Sequence, residues 1–146
     1  MICLQPSRCE ERSLRNRARI EDILTEAELL LSNFQDKLTE GSEEVRLRMK
    51  YHAEQREMFR AFSRYEIVEA AKQGWAIDLT KRDNKTFIVI MYYLHTGPRS
   101  YRPIHVVCMV NSPFDWEIIT VYDPRSKSWW WDKNLSTRVC WCNGEE

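Results

Sequence analysis

The sequence predicts an α+β domain in which N-terminal helices pack on one face of a four-stranded antiparallel meander sheet. Two observations carry this. Apolar residues recur at steps of three and four as far as Gly74, and at steps of two beyond it. The segments after Gly74 are joined by short connections, which make successive strands antiparallel neighbours. At 146 residues the chain suits one core and is too short for two ordinary domains.

Residues 1–16 show no clear period and include Pro6, so a flexible arm is expected, followed by a single domain over 17–146. Ile20, Ile23, Leu24, Ala27, Leu30, Leu31, Phe34 and Leu38 then form one apolar helical face, giving a helix over 20–39 that Gly41 stops. Ser42 is placed to cap a second helix, with Glu43 and Glu44 in its first turn and Val45, Met49 and Phe59 on its inner stripe. This predicts helix over 43–62. Ser63 and Glu66 make a capping box that opens a third helix over 64–73.

After Gly74 the alternation Trp75, Ile77, Leu79 reads as a strand over 75–80, and residues 81–85 as a polar turn with Asp83 and Asn84. The β-branched and aromatic run over 86–93 suits a central strand. Strands over 104–110 and 116–122 complete the meander. Trp129, Trp130 and Trp131, then residues 139–142, are left to short edge strands or a folded cap, with core or partner contact expected of the three rings.

About 43% of the residues are apolar and 30% charged, the balance of an ordinary globular protein. No apolar run reaches the roughly 18 residues of a membrane span. The N-terminal stretch carries Arg8, Arg12, Arg15, Arg17 and Arg19 and lacks the apolar run of a secretory signal, so an unexported, cytoplasmic protein is expected. A formal charge of zero argues against a generic nucleic-acid binder.

Five cysteines, an odd count, do not suit a simple disulfide framework. Cys108 falls in an apolar strand and reads as a reduced core residue. Cys3, Cys9, Cys140 and Cys142 have the donors of a four-thiolate zinc site. Their C-x5-C and C-x-C spacings are unusual for one, however, and the pairs stand at opposite ends of the chain. Free thiols are therefore expected, with no metal and no cofactor.

The sequence has no phosphate-binding loop, dinucleotide fingerprint, metal-binding His-Glu-x-x-His or serine elbow. Three features remain. His52 and Arg56 stand one helical turn apart, with Arg60 a turn further; a guanidinium beside an imidazole lowers its pKa and leaves a neutral base. His105 interrupts an apolar strand, where a satisfied structural histidine is the commoner outcome. Thr120 and Tyr122 share one face of the last strand. His95 sits beside Gly97 and Pro98 and reads as a surface residue.

The stretches His52-Ala-Glu-Gln-Arg56, Glu66-Ile-Val-Glu-Ala-Ala-Lys-Gln-Gly74, His105-Val-Val and Ile119-Thr-Val-Tyr-Asp-Pro124 resemble, in order and spacing, a bacterial family of small toxin-like domains of unknown function (DUF-4258) in the RelE-like superfamily. The resemblance covers about residues 51–131. It implies a RelE-like fold and a toxin of a toxin–antitoxin pair, a metal-independent ribonuclease that attacks through the RNA 2′-hydroxyl. Its partners would be RNA, ribosome-bound in some relatives, and an antitoxin protein. On the matching positions it implies catalytic roles for His52, Arg56, His105 and Tyr122, the residue types for a base, a cation on the phosphorane and a donor. Arg60, Arg99, Arg102 and Thr120 would then contact substrate.

A second class stays open: a non-catalytic RelE-like module that binds a protein, or a gyrase-type inhibitor. Convergence of Arg56, Arg60, Arg99, Arg102 and Arg125 on His52 and His105 would favour the ribonuclease, and scatter would favour the module. The helix over 20–39 lies outside the matched region; packing on the core, homodimer formation and holding a partner all remain open for it.

Overall fold

A computed structural model describes residues 2–49 and 61–142. The order of elements is helix α1 (Pro6–Glu40), strand β1 (Arg46–Met49), helix α2 (Arg64–Gln73), then strands β2 (Trp75–Arg82), β3 (Lys85–Gly97), β4 (Ser100–Ser112) and β5 (Asp115–Tyr122). A 3-10 stretch, Pro124–Trp130, follows. The architecture is α+β, with an N-terminal helix and a five-stranded mixed sheet in the order β1-β5-β4-β3-β2. Among the described residues, no helix is long and apolar enough to cross a membrane.

The four expected strands are present in meander order, β2 and β5 a residue or two longer than their sequence patterns, while β3 and β4 reach 13 residues each and leave only Pro98 and Arg99 between them. Asp83 and Asn84 both take positive φ, 53° and 61°, in the two-residue turn between β2 and β3. Such a turn matches the twist of the strands it joins. The sheet differs from the expectation by a fifth strand. Residues 46–49, expected in a helix over 43–62, instead pair in parallel with β5, Arg46 opposite Asp115 and Met49 opposite Ile118. Val45, Leu47 and Met49 alternate against the core while Arg46 and Arg48 point to solvent, and Arg48 meets the Asp115 carboxylate at 2.9 Å. A period of two over five residues outweighed the helical spacing of Val45 and Met49. The rest of that expected helix, to residue 60, lies outside the described residues.

The arm expected over residues 1–16 is also different, because α1 starts at Pro6 and runs 35 residues. Proline is well placed at a first helical position, since its missing N–H would have no partner there. The face buried in this first part consists of Cys9 and Ser13, which is why it shows no apolar period. Gly41 ends the helix at φ 71°, donating its N–H to the Leu38 carbonyl. The Ser63–Glu66 capping box opens α2 as expected.

The core lies between the sheet and the two helices. Ala27, Leu31 and Phe34 of α1 and Ile67, Ala70 and Ala71 of α2 meet Ile88, Ile90, Ile104, Val106, Cys108, Trp116 and Ile118. Phe34 stacks on Trp116 with ring centroids 4.0 Å apart and planes 8° from parallel. The apolar face of the helix expected over 20–39 packs on this core. Burying each such large side chain stabilises the fold by roughly 1.5–3 kcal/mol.

Candidate functional site

In-register partners in a sheet share a face, so β-pairing defines what stands on the side away from the helices. One cross-strand row there is Trp75, Met91, His105 and Tyr122, and the next contains Val107 and Thr120. The chain after β5 folds back over the His105–Tyr122 end of the first row. Residues 123–142 form a cap closed by the bridge between Trp131 and Arg138 and by the Asp132 N–H donated to the Thr137 carbonyl. Trp131 lies edge-on to the His105 ring at 4.6 Å.

His105 is thereby fully buried. Its Nε2 lies 2.6 Å from the Leu135 carbonyl oxygen and its Nδ1 3.2 Å from the Tyr122 hydroxyl. A carbonyl only accepts, so Nε2 carries the proton and the Tyr122 hydroxyl donates to Nδ1. Burial lowers the imidazole pKa to about 4, against the opposing pull of the Leu135 carbonyl and Asp123. Burial likewise raises Tyr122 to about 12. The pair is neutral and its hydrogen bonds are complete. Cap residues also line an open hollow of about 350 Å³ beside Tyr122, with Lys127, Trp130, Trp131 and Arg138 around it.

The structure thus brings His105 and Tyr122 together, with Thr120 one row away. Of the arginines of the sequence reading, the described ones, Arg99, Arg102 and Arg125, do not gather there. Arg102 points to the helical side, its guanidinium 4.0 Å over the Phe62 ring and hydrogen-bonded to the Ala61 carbonyl and Asp123. Arg125 also binds the Asp123 carboxylate, Nη2 to Oδ2 at 2.8 Å. Although burial works against it, hydrogen bonds from Arg125 and Arg102 hold that carboxyl below its ordinary range. Arg99 is exposed in the turn between β3 and β4. His52, Arg56 and Arg60 lie outside the described residues.

Two features escaped the sequence reading. The uncovered part of the same sheet face carries a run of rings: Trp75 and Tyr93 with centroids 6.0 Å apart, then His95 and Tyr101 at 4.5 Å. Trp75 is 45% exposed and Tyr101 53%. The two-residue spacing of Tyr93 and His95 signals a shared face, but whether a cap covers that face is not written in a strand pattern.

The second is the meeting of both ends of the chain. The first turns of α1 lie against the cap: Asn16 donates to the Arg138 carbonyl at 3.2 Å, and the Arg12 guanidinium sits 4.4 Å over the Trp141 ring. There the sulfurs of Cys3, Cys9, Cys140 and Cys142 all lie within 4.8 Å of one another, a donor set able to hold a metal. The sequence named these four as possible zinc donors but weighed against the site on spacing along the chain; in space they stand together, as free cysteines. Comparison with known protein families, curated proteins and solved structures finds no match to this chain.

Proposed function

We propose that the chain is a non-catalytic binding module of RelE-like architecture that docks a protein partner on the aromatic run Trp75, Tyr93, His95 and Tyr101. The observation that carries this reading is the state of His105. A base for a 2′-hydroxyl needs an open lone pair within hydrogen-bond reach of its substrate. His105 has no exposure, and both its ring nitrogens are taken. The placement of the arginines agrees, since Arg102 and Arg125 spend their charge on Asp123. Exposed Trp and Tyr side chains are the residues that anchor protein interfaces, large in area and low in rotamer entropy. An antitoxin-like protein is the partner class that the resemblance suggests.

The ribonuclease reading keeps one specific support. His105 and Tyr122 fall on the motif positions of the resembling family, and a hollow bearing Lys127 and Arg138 opens beside Tyr122. One experiment separates the two. The purified chain is incubated with RNA and ribosomes in the presence of a chelator, and its effect on growth is measured on expression in a bacterial host. The module reading expects uncut RNA, and any growth effect lost in the double variant Trp75→Ala, Tyr101→Ala but kept in His105→Gln. RNA fragments with 2′,3′-cyclic phosphate ends, abolished by His105→Gln in a protein that still folds, would establish the ribonuclease instead.

A further inference from the structure

We propose that Cys3, Cys9, Cys140 and Cys142 bind one structural Zn²⁺ ion, which clasps the first turn of α1 to the C-terminal cap. The geometry points to it first. The Sγ atoms of Cys9 and Cys142 are 3.6 Å apart and those of Cys3 and Cys142 3.8 Å. A tetrahedral site with Zn–S bonds of about 2.3 Å places its sulfurs roughly 3.8 Å from one another. A disulfide needs sulfurs about 2.05 Å apart. Four sulfurs in one knot also fit a single shared ion better than two separate bridges.

The set is complete and closed. Cys108, the fifth cysteine, is buried in the sheet core, so the odd count resolves into one core residue and four ligands. Cys9 and Cys140 are buried, Cys3 and Cys142 half-buried. Four protein thiolates leave no open position for substrate, which marks a structural rather than a catalytic ion. Binding releases the thiol protons, because zinc is held by thiolates.

The surroundings hold the ligands in place. The indole N–H groups of Trp129 and Trp130 both donate to the Cys142 carbonyl, and Arg138 donates from Nε to the Cys140 carbonyl at 2.8 Å. Backbone hydrogen bonds from residues 139 and 140 to the Trp130 carbonyl tie this segment to the tryptophan run. The tryptophan run thus supports the Cys-x-Cys segment, the outer layer that ligands need to keep their orientation. Zinc with four thiolates carries a net charge of −2, and Arg8, Arg12 and Arg15 line the cleft beside Cys9 and Cys142. The crowd of N-terminal arginines finds a role there in offsetting that charge.

The proposal is independent of what the aromatic run binds. Full-length protein purified under reducing conditions is expected to carry a single zinc ion per chain by elemental analysis. Exchange with Co²⁺ should give the thiolate-to-metal charge-transfer and tetrahedral ligand-field bands of a four-sulfur site. Titration of the thiols with a mercurial should release zinc in step with four equivalents. Cys3→Ser and Cys142→Ser should each weaken retention against a chelator by at least tenfold, whereas Cys108→Ala keeps one zinc per chain. Should the ligand variants fail to fold, the cobalt spectrum of the parent chain decides. Protein that refolds with zinc present yet holds none, that shows disulfides among these four residues, or that carries iron in place of zinc would overturn the assignment.

Discussion

His105 occupies a position where β4 would ordinarily take an apolar side chain, and the fold accommodates it as a neutral imidazole. Its pKa of about 4 stands below the ordinary 6.5. The unfolded chain therefore takes up a proton between about pH 6.5 and pH 4 that the folded chain refuses. The stability that depends on this residue is complete above about pH 6.5 and falls as the pH drops towards 4. Over that window the loss amounts to about 3 kcal/mol. Urea unfolding at pH 7 and pH 4.5 should show it, and His105→Gln should flatten the difference; an equal slope in the variant would assign the loss to other groups. That this histidine is unusual was legible in the sequence, from a polar residue inside an apolar run. Its role was not. The partner that closes it in, the Leu135 carbonyl, lies 30 residues further on, in a residue at φ 60° that no local pattern announces.

The legible elements are those with a strong period or a dedicated end signal. Gly74 marks the change from helix to strand, and the structure gives the reason. A Cβ at that position would stand 2.6 Å from the Ala70 carbonyl oxygen, the Met91 carbonyl oxygen and Ile90 Cγ2. Two of these are backbone atoms and cannot swing aside. Gly74→Ala is expected to cost about 1–3 kcal/mol, the range for overpacking, read as a lower thermal midpoint; an unchanged midpoint would show that α2 can lift from β3 freely. The strand β1 was missed because Val45 and Met49 satisfy the spacing of both a helix and a strand, and Leu47, which decides between them, counts for little in so short a segment. The first turns of α1 were missed because one thiol and one serine do the burying. Hydrophobic periodicity is silent where contact is made by chemistry other than hydrocarbon.

On the scale of the molecule, the sheet is covered differently on its two sides. The helices cover one side with a continuous apolar core, while the cap covers only part of the other and leaves the aromatic run open. The cap therefore decides which rings on that side meet water. His95 is exposed and His105 is enclosed beneath Trp131, so diethylpyrocarbonate should modify the first quickly and the second only on unfolding. Trp131→Ala should make His105 reactive while the β-sheet circular dichroism stays; continued protection would mean that the hydrogen bond His105 donates to the Leu135 carbonyl holds the cover by itself. Part of this arrangement was readable: the sequence showed an N-terminus rich in arginine and offered a folded cap for the tail, but cysteine spacing along the chain argued against a cluster that exists only once residues 3 and 142 come together.

The meeting of these distant segments also sets an order in time. At synthesis rates of about 5–20 residues per second, Cys140 and Cys142 follow Cys9 by on the order of ten seconds. Through that interval the first turns of α1 wait without the surface they are built to touch. The meander, whose contacts are local, has its strands complete before the last cysteine is added. The junction between α1 and the cap is thus among the last contacts open to a chain made from its N-terminus.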